Sequence, residues 1–141
     1  MNIIIQQHCD EINWQDVADL LAFYGLSSLD AKTQELVFRN SYAVVFLLEK
    51  KRVVGVGRAL SDGVCQAAIY NIALAQHLHG QQYGRLIVDK LVDQVKQCNI
   101  ILYTHPQTVE FYKNLGFEVM KTGMARYQAD HITDMRNMGF I

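Results

Sequence analysis

An apolar run, Ile69–Ala75, passes directly into a polar loop, Gln76–Gly84, and on into the strongest amphipathic stretch of the chain, Gly80–Gln97. No other feature constrains the fold as much. A continuous apolar run suits a strand covered on both faces. The stripe Leu86, Ile87, Val88, Leu91, Val92 and Val95, interrupted by Arg85, Asp89, Lys90, Asp93 and Lys96, suits a helix packed on one side. Together they demand a sheet carrying at least one helix layer. The start of that helix offers unpaired N–H groups and a partial positive charge, which suits a phosphate, and the glycines Gly80 and Gly84 allow close backbone approach.

The remaining segments fill in the sheet. Ile3–Gln7 reads as a strand, Asn13–Tyr24 as a helix closed by Gly25, and Asp30–Arg39 as a helix capped by Asp30. Tyr42–Leu48 and Arg52–Leu60 flank the turn Glu49-Lys50-Lys51, and Ser61-Asp62-Gly63 turns into a third strand, Gln66–Ala75. Ile100–Tyr103 reads as a short buried strand. Pro106–Leu115 reads as a helix with its proline near the start and Gly116 just beyond the end. Phe117–Met120 and Met124–Gln128 read as two further strands, and the tail from Asp130 as a short helix. Hairpins beside strand-helix-strand crossovers imply an α/β (α+β) fold with a mixed sheet.

With 141 residues, the chain is expected to form one domain over 1–141. Its 13 Lys and Arg against 14 Asp and Glu give a net charge of −1, so no broad positive field supports nucleic-acid binding. No run approaches the length of a membrane span, and no signal-peptide pattern precedes the first strand. The 3 cysteines, Cys9, Cys65 and Cys98, read as reduced thiols of a cytoplasmic protein. His77 and His79 alternate along the loop without a third ligand spaced to help them, so no metal site is expected.

A second chemical segment lies at Phe111-Tyr112-Lys113-Asn114-Leu115-Gly116-Phe117, where helical spacing puts Thr108, Phe111, Tyr112 and Leu115 on one face. A phenol there can protonate a departing thiolate, although most tyrosines on an apolar face are core residues. The two segments together, with the strand between them, resemble the GNAT superfamily of N-acetyltransferases. Phe111–Phe117 matches the Phe-Tyr-x-x-Leu-Gly-Phe signature in full. His79-Gly80-Gln81-Gln82-Tyr83-Gly84 aligns with the phosphate motif Gln/Arg-x-x-Gly-x-Gly/Ala, and Val53–Arg58 looks like the strand before the hairpin turn. The resemblance runs from about Tyr42 to Tyr127.

The resemblance implies a GNAT-like mixed, mostly antiparallel six- to seven-stranded sheet, with helices on both faces and central parallel strands that splay apart. It implies acetyl-CoA as acyl donor, held by Ile72, Ala73, Leu74, His79, Gly80, Gln81, Gln82, Tyr83, Gly84, Arg85 and His105. It further implies direct attack by a primary amine of a small molecule or peptide. The backbone N–H of Leu74 would steady the thioester oxygen, and Tyr112 would protonate the sulfur. A homodimer is compatible with it. Three positions depart from the pattern: His79 replaces Gln or Arg, Gln82 replaces the first glycine, and His105 stands where relatives place asparagine. Read as part of the helix's first turn, Gln82 costs the fold nothing. Tyr70 and Asn71 replace the carboxylate base of relatives, leaving Glu110, Asp62 or His105 to act through water. Arg58 and Asp62 flank the hairpin turn, where an acceptor can meet them but where charges are usually just solvated. The alternative reading is a non-catalytic CoA-sensing or partner-binding module on the same fold.

Overall fold

In the computed structural model, which describes residues 2–141, the first two helices start at capping side chains. Asn13 Oδ1 accepts from the amides of Gln15 and Asp16 at 3.1 and 3.3 Å and opens α1 (Trp14–Phe23). Asp30 Oδ1 accepts from Thr33 N–H at 2.9 Å and opens α2 (Ala31–Arg39). Each cap satisfies amides that the first turn leaves without partners. Gly25, at φ +68°, follows α1 in the left-handed conformation that ends a helix.

The chain forms two compact units, one ending at Leu102 and the other spanning Tyr103–Ile141. The first holds a five-stranded sheet in the order β1-β2-β3-β4-β5. Its strands are β1 (Ile3–Gln6), β2 (Ala43–Glu49), β3 (Arg52–Ser61), β4 (Gln66–Leu74) and β5 (Asn99–Ile101). The first three pairings are antiparallel; β4 and β5 run parallel, from Gln66↔Asn99 to Ala68↔Ile101. The tight β2–β3 turn holds both Lys50 and Lys51 at positive φ, the geometry that matches strand twist in a two-residue hairpin.

Side chains alternate across this sheet and divide its packing. Val44, Phe46, Val56 and Ala73 join Ile12, Val17, Leu21 and Phe38 in a buried cluster beneath α1 and α2. On the opposite face, α3 (Tyr83–Gln94) buries Ile87, Val88 and Leu91. Gly57 is the reason α3 can lie so close. A Cβ there would fall 2.7 Å from both Ile72 Cδ1 and Ile87 Cγ2.

One buried charge ties the α1 layer to the sheet. Asp16, 7% exposed, accepts from Arg52 Nη2 at 2.6 Å, from Arg52 Nε at 2.9 Å and from Val53 N–H at 3.1 Å. The Arg52 hydrogen bonds hold this carboxyl below the usual range, outweighing the opposing effect of burial.

The second unit begins with a 3₁₀ turn, Pro106–Thr108, followed by α4 (Val109–Lys113), and ends with α5 (Ile132–Asn137). Tyr103 packs edge-on against Tyr127 and Phe140, with ring centroids 6.3 and 5.9 Å apart.

Several expectations need correction. The sheet has five strands among the described residues, not six or seven, and the parallel pair lies at its edge rather than its centre. Phe117–Met120 and Met124–Gln128 form no strand; Val119, Met120 and Met124 are 64%, 53% and 99% exposed, and no strand pairs with these segments among the described residues. β5 is shorter than expected and not buried, with Ile101 48% exposed. The long helix starts at Tyr83, not Gly80, and ends at Gln94. Pro106–Leu115 divides into a 3₁₀ turn and a short α-helix.

Replacing Asp16 by Asn leaves the Arg52 guanidinium without its charge partner. It is expected to cost about 2–3 kcal/mol at pH 7, because a buried carboxylate holding three donors is lost. Asp16 has a depressed folded-state pKa, so its contribution is complete above the ordinary value of 3.8 and fades as pH falls through the lower folded value. Urea unfolding of both proteins at pH 7 and pH 3 checks this: the gap narrows in acid.

Candidate active site

Leu74 ends β4 opposite Gly55. The next residue, Ala75, donates its N–H to Val54 C=O at 2.8 Å, so Ala75 and Val54 are a hydrogen-bonded pair of the antiparallel ladder. Alternation along that ladder then turns both the N–H and the C=O of Leu74 away from β3. On that side the β4–β5 ladder has already stopped at Ala68↔Ile101. The end of β4 therefore faces an edge that no strand covers among the described residues.

Two side chains satisfy the carbonyl. The Tyr24 hydroxyl, at the end of α1, donates to Leu74 O, and His79 Nε2 lies 2.9 Å from the same oxygen and 3.1 Å from Tyr24 Oη. A carbonyl only accepts, so Nε2 carries the proton and the imidazole donates through it. The two rings stack within 19° of parallel. Burial pushes the Tyr24 hydroxyl above its ordinary pKa. Sequence reasoning placed Tyr24 only as the last residue of a helix closed by Gly25 and gave it no role in the site. His79, expected to hold the cofactor, turns its ring back to the strand end.

The loop is pinned and then freed. Leu78 is fully buried within the 3₁₀ turn Gln76–Leu78, and His79 N–H bonds Gln76 C=O at 3.1 Å. Beyond it, Gly80 and Gln82 take positive φ of 80° and 70°. Gln82 is the N-cap of α3 and caps it with no side-chain hydrogen bond. The first helical bond runs from Leu86 N–H to Gln82 C=O at 3.0 Å, leaving the amides of Tyr83, Gly84 and Arg85 without intrahelical acceptors. The expectation that Gln82 sits comfortably in the helix is thus overturned. It holds a left-handed conformation that costs a side-chain-bearing residue about 1–2 kcal/mol. No carboxylate occurs between Gln76 and Arg85. Exposed amides at a helix start without an acidic neighbour fit a diphosphate.

A groove of about 410 Å³ opens beside this strand end, lined by Leu20, Phe23, Tyr24, Ala75, Gln76 and His77. His77 pairs with Glu49 at 2.8 Å, so it and His79 serve different partners.

The first unit thus gathers Ile72, Ala73, Leu74 and the loop from His79 to Arg85, while Tyr112 and His105 belong to the second. Tyr112 is half-buried on α4, edge-on to Phe111 and Phe117 at 4.9 and 5.8 Å. Burial pushes its hydroxyl above the ordinary pKa, partly offset by the Thr104 hydroxyl. His105 Nδ1 accepts from Gln107 N–H at 3.2 Å and caps the 3₁₀ turn. Asp62 is a turn former: its Oδ1 accepts from the amides of Val64, Cys65 and Gln66. Those bonds hold its carboxyl far below the usual range, which makes it a poor base.

A family model described as an acetyltransferase (GNAT) domain matches residues 11–136. The chain belongs to the GNAT acetyltransferase family. It is 27% identical over 135 residues to the uncharacterized N-acetyltransferase ycf52 of Pyropia yezoensis, covering 82% of this chain and 78% of that protein. It is 32% identical over 134 residues to the histone acetyltransferase TAP1 of Glycine max, covering 85% of this chain and 53% of that protein. The chain thus spans about half the length of the Glycine max relative, at 53%. A GNAT family acetyltransferase of Streptococcus pneumoniae shares its fold at TM-score 0.77 and 21% identity, covering 91% of this chain and 99% of that one. Glucosamine-6-phosphate N-acetyltransferase of Arabidopsis thaliana does so at TM-score 0.71 and 15% identity, covering 90% and 100%. At these identities the solved structures speak for the fold alone. In this GNAT chain the residue before α3 is a glutamine held in the left-handed conformation, at φ 70°.

Replacing Gln82 by Gly relieves that strain. The variant is expected to gain about 0.5–1 kcal/mol after allowing for the greater freedom of glycine in the unfolded chain. The urea midpoint should rise with the slope of the transition unchanged.

Proposed function

We propose that the protein transfers the acetyl group of acetyl-CoA to a primary amine by direct attack. The observation that carries this reading is the end of β4, where the Leu74 N–H points to an uncovered edge beside the uncapped start of α3. The thioester supplies an activated acetyl group and a thiolate leaving group. The amides of Gly80–Arg85 hold the diphosphate, and the Leu74 N–H donates to the oxygen on which negative charge develops, an interaction that gains strength as the charge forms. Tyr24 and His79 fix that donor by occupying the carbonyl of the same residue. Tyr112 is the general acid: its raised pKa keeps the proton in place at neutral pH until the sulfur departs. No enzyme nucleophile is needed: the neutral amine arrives through the groove beside Tyr24, its N–C bond forms as the C–S bond breaks, and its surplus proton leaves to water. The Glycine max relative is a histone acetyltransferase by name, while the Arabidopsis structure acts on an amino sugar phosphate, so relatives span protein and small-molecule amines.

Thiol release from acetyl-CoA across a panel of primary amines tests the activity. Thermal unfolding with and without acetyl-CoA tests binding, since ligand at a hundred times its dissociation constant adds about 2.7 kcal/mol. Tyr112→Phe is expected to lower kcat by about 10- to 100-fold while retaining the acetyl-CoA shift. Absence of both the shift and thiol release with every amine overturns the reading.

A further inference from the structure

Arg58 leaves β3 on the α1–α2 face, with its guanidinium 6.0 Å from the Phe38 ring centroid and 5.3 Å from that of Tyr70. It is half-buried, not solvated as a charge beside a turn would be. Its hydrogen-bond acceptors are both neutral. Nε donates to Asn71 Oδ1 at 2.6 Å and Nη1 to Ser41 Oγ at 3.3 Å, while the Ser41 hydroxyl gives its own proton to Val37 C=O at 2.9 Å. Among the described residues no carboxylate oxygen lies within 4.0 Å of it. Arg39, Arg52 and Arg85 each have such a partner, and Arg126 and Arg136, which have none, lie exposed to water.

A cation taken partly out of water without an anion is unfavourable, and burial indeed pulls the Arg58 pKa down. Guanidinium nevertheless stays charged at any physiological pH. The end of the fork, Nη1 and Nη2, retains N–H groups beyond the single bond to Ser41, and the Nδ2 hydrogens of Asn71 have no protein acceptor among the described residues. Asn71 itself is held at φ +58° by the bulge where β4 slips against β3, a conformation disfavoured for a side-chain-bearing residue. The strain presents a neutral amide beside the cation.

We propose that Arg58, with Asn71, binds a carboxylate of the acceptor, so that the acetylated amine belongs to a molecule bearing a carboxylate several bonds away. The planar fork matches a carboxylate in a two-pronged geometry. Asn71 lies three residues before Leu74 on β4, on the order of 10 Å along the strand. That spacing excludes the α-amino group adjacent to the carboxylate of a free amino acid. It suits an amine at the far end of a chain. This inference rests on the acetyl-transfer reading for the position of the amine, though not for the carboxylate.

The test compares 6-aminohexanoate with 6-aminohexanamide, which have the same amine and differ in the charge at the other end. With acetyl-CoA, the carboxylate is expected to show a kcat/KM higher by about 10- to 100-fold. Arg58→Gln should bring that ratio close to one, through loss on the carboxylate compound, and Arg58→Lys, which keeps charge without the fork, should fall between. A separate arm titrates hexanoate, which has no amine, while following the Arg58 Nε–H resonance by NMR in the wild-type protein. A shift of that resonance supports the carboxylate site even if no amine is acetylated, in which case only the acetyl-transfer reading fails. Equal kcat/KM for the two amines, the full preference surviving in a folded Arg58→Gln protein, or an unmoved resonance overturns the proposal.

Discussion

A strand whose neighbour stops short must find other partners for its backbone, and β4 meets this constraint at Leu74. The ladder to β5 ends at Ala68, yet β4 continues, and its last residue turns both polar groups to the side that β5 has left. Side chains from two elements answer for the carbonyl: Tyr24 from α1 and His79 from the loop. The amide remains as a donor. The oxyanion stabilisation proposed for the reaction follows from this asymmetry, since a donor fixed by its own peptide group needs no reorganisation when charge develops in front of it.

The rest of the first unit holds that strand end in place from both faces of the sheet. On one side Asp16 joins α1 to the β2–β3 hairpin through Arg52 and Val53, which sets the depth of α1 and so the reach of Tyr24. On the other, the missing side chain at Gly57 lets Ile87 and Leu91 of α3 settle against the sheet. The helix start and the strand end are thus located by independent contacts. Packed interiors of this kind fix geometry more firmly than surface hydrogen bonds do.

Elements whose signals are local were legible in the sequence. Asn13 and Asp30 announce the starts of α1 and α2, Gly25 the end of α1, and the apolar stripe of α3 its buried face. What depended on distant partners was not. Phe117–Met120 has the composition of a strand, but a strand exists only where another offers a ladder, and composition does not supply one. The left-handed Gln82 was hidden for a related reason: the backbone angle at that position appears only once the helix start is located. The loop residues and Leu74 entered as candidates through motif alignment. Tyr24, separated from Leu74 by α2 and the strands β2 and β3, was not.

Leu78 gives the loop a mechanical division. Because that side chain is wholly enclosed, the segment before it moves only with the core, whereas Gly80–Gln82 is exposed and is tied between its ends by the Gln81 side chain, which donates to His77 C=O at 3.2 Å. Any reshaping on arrival of a cosubstrate is therefore concentrated in a few torsions. The entropy lost in closing the grip is correspondingly small, and amide hydrogen exchange should divide at that side chain, slow before it and fast after.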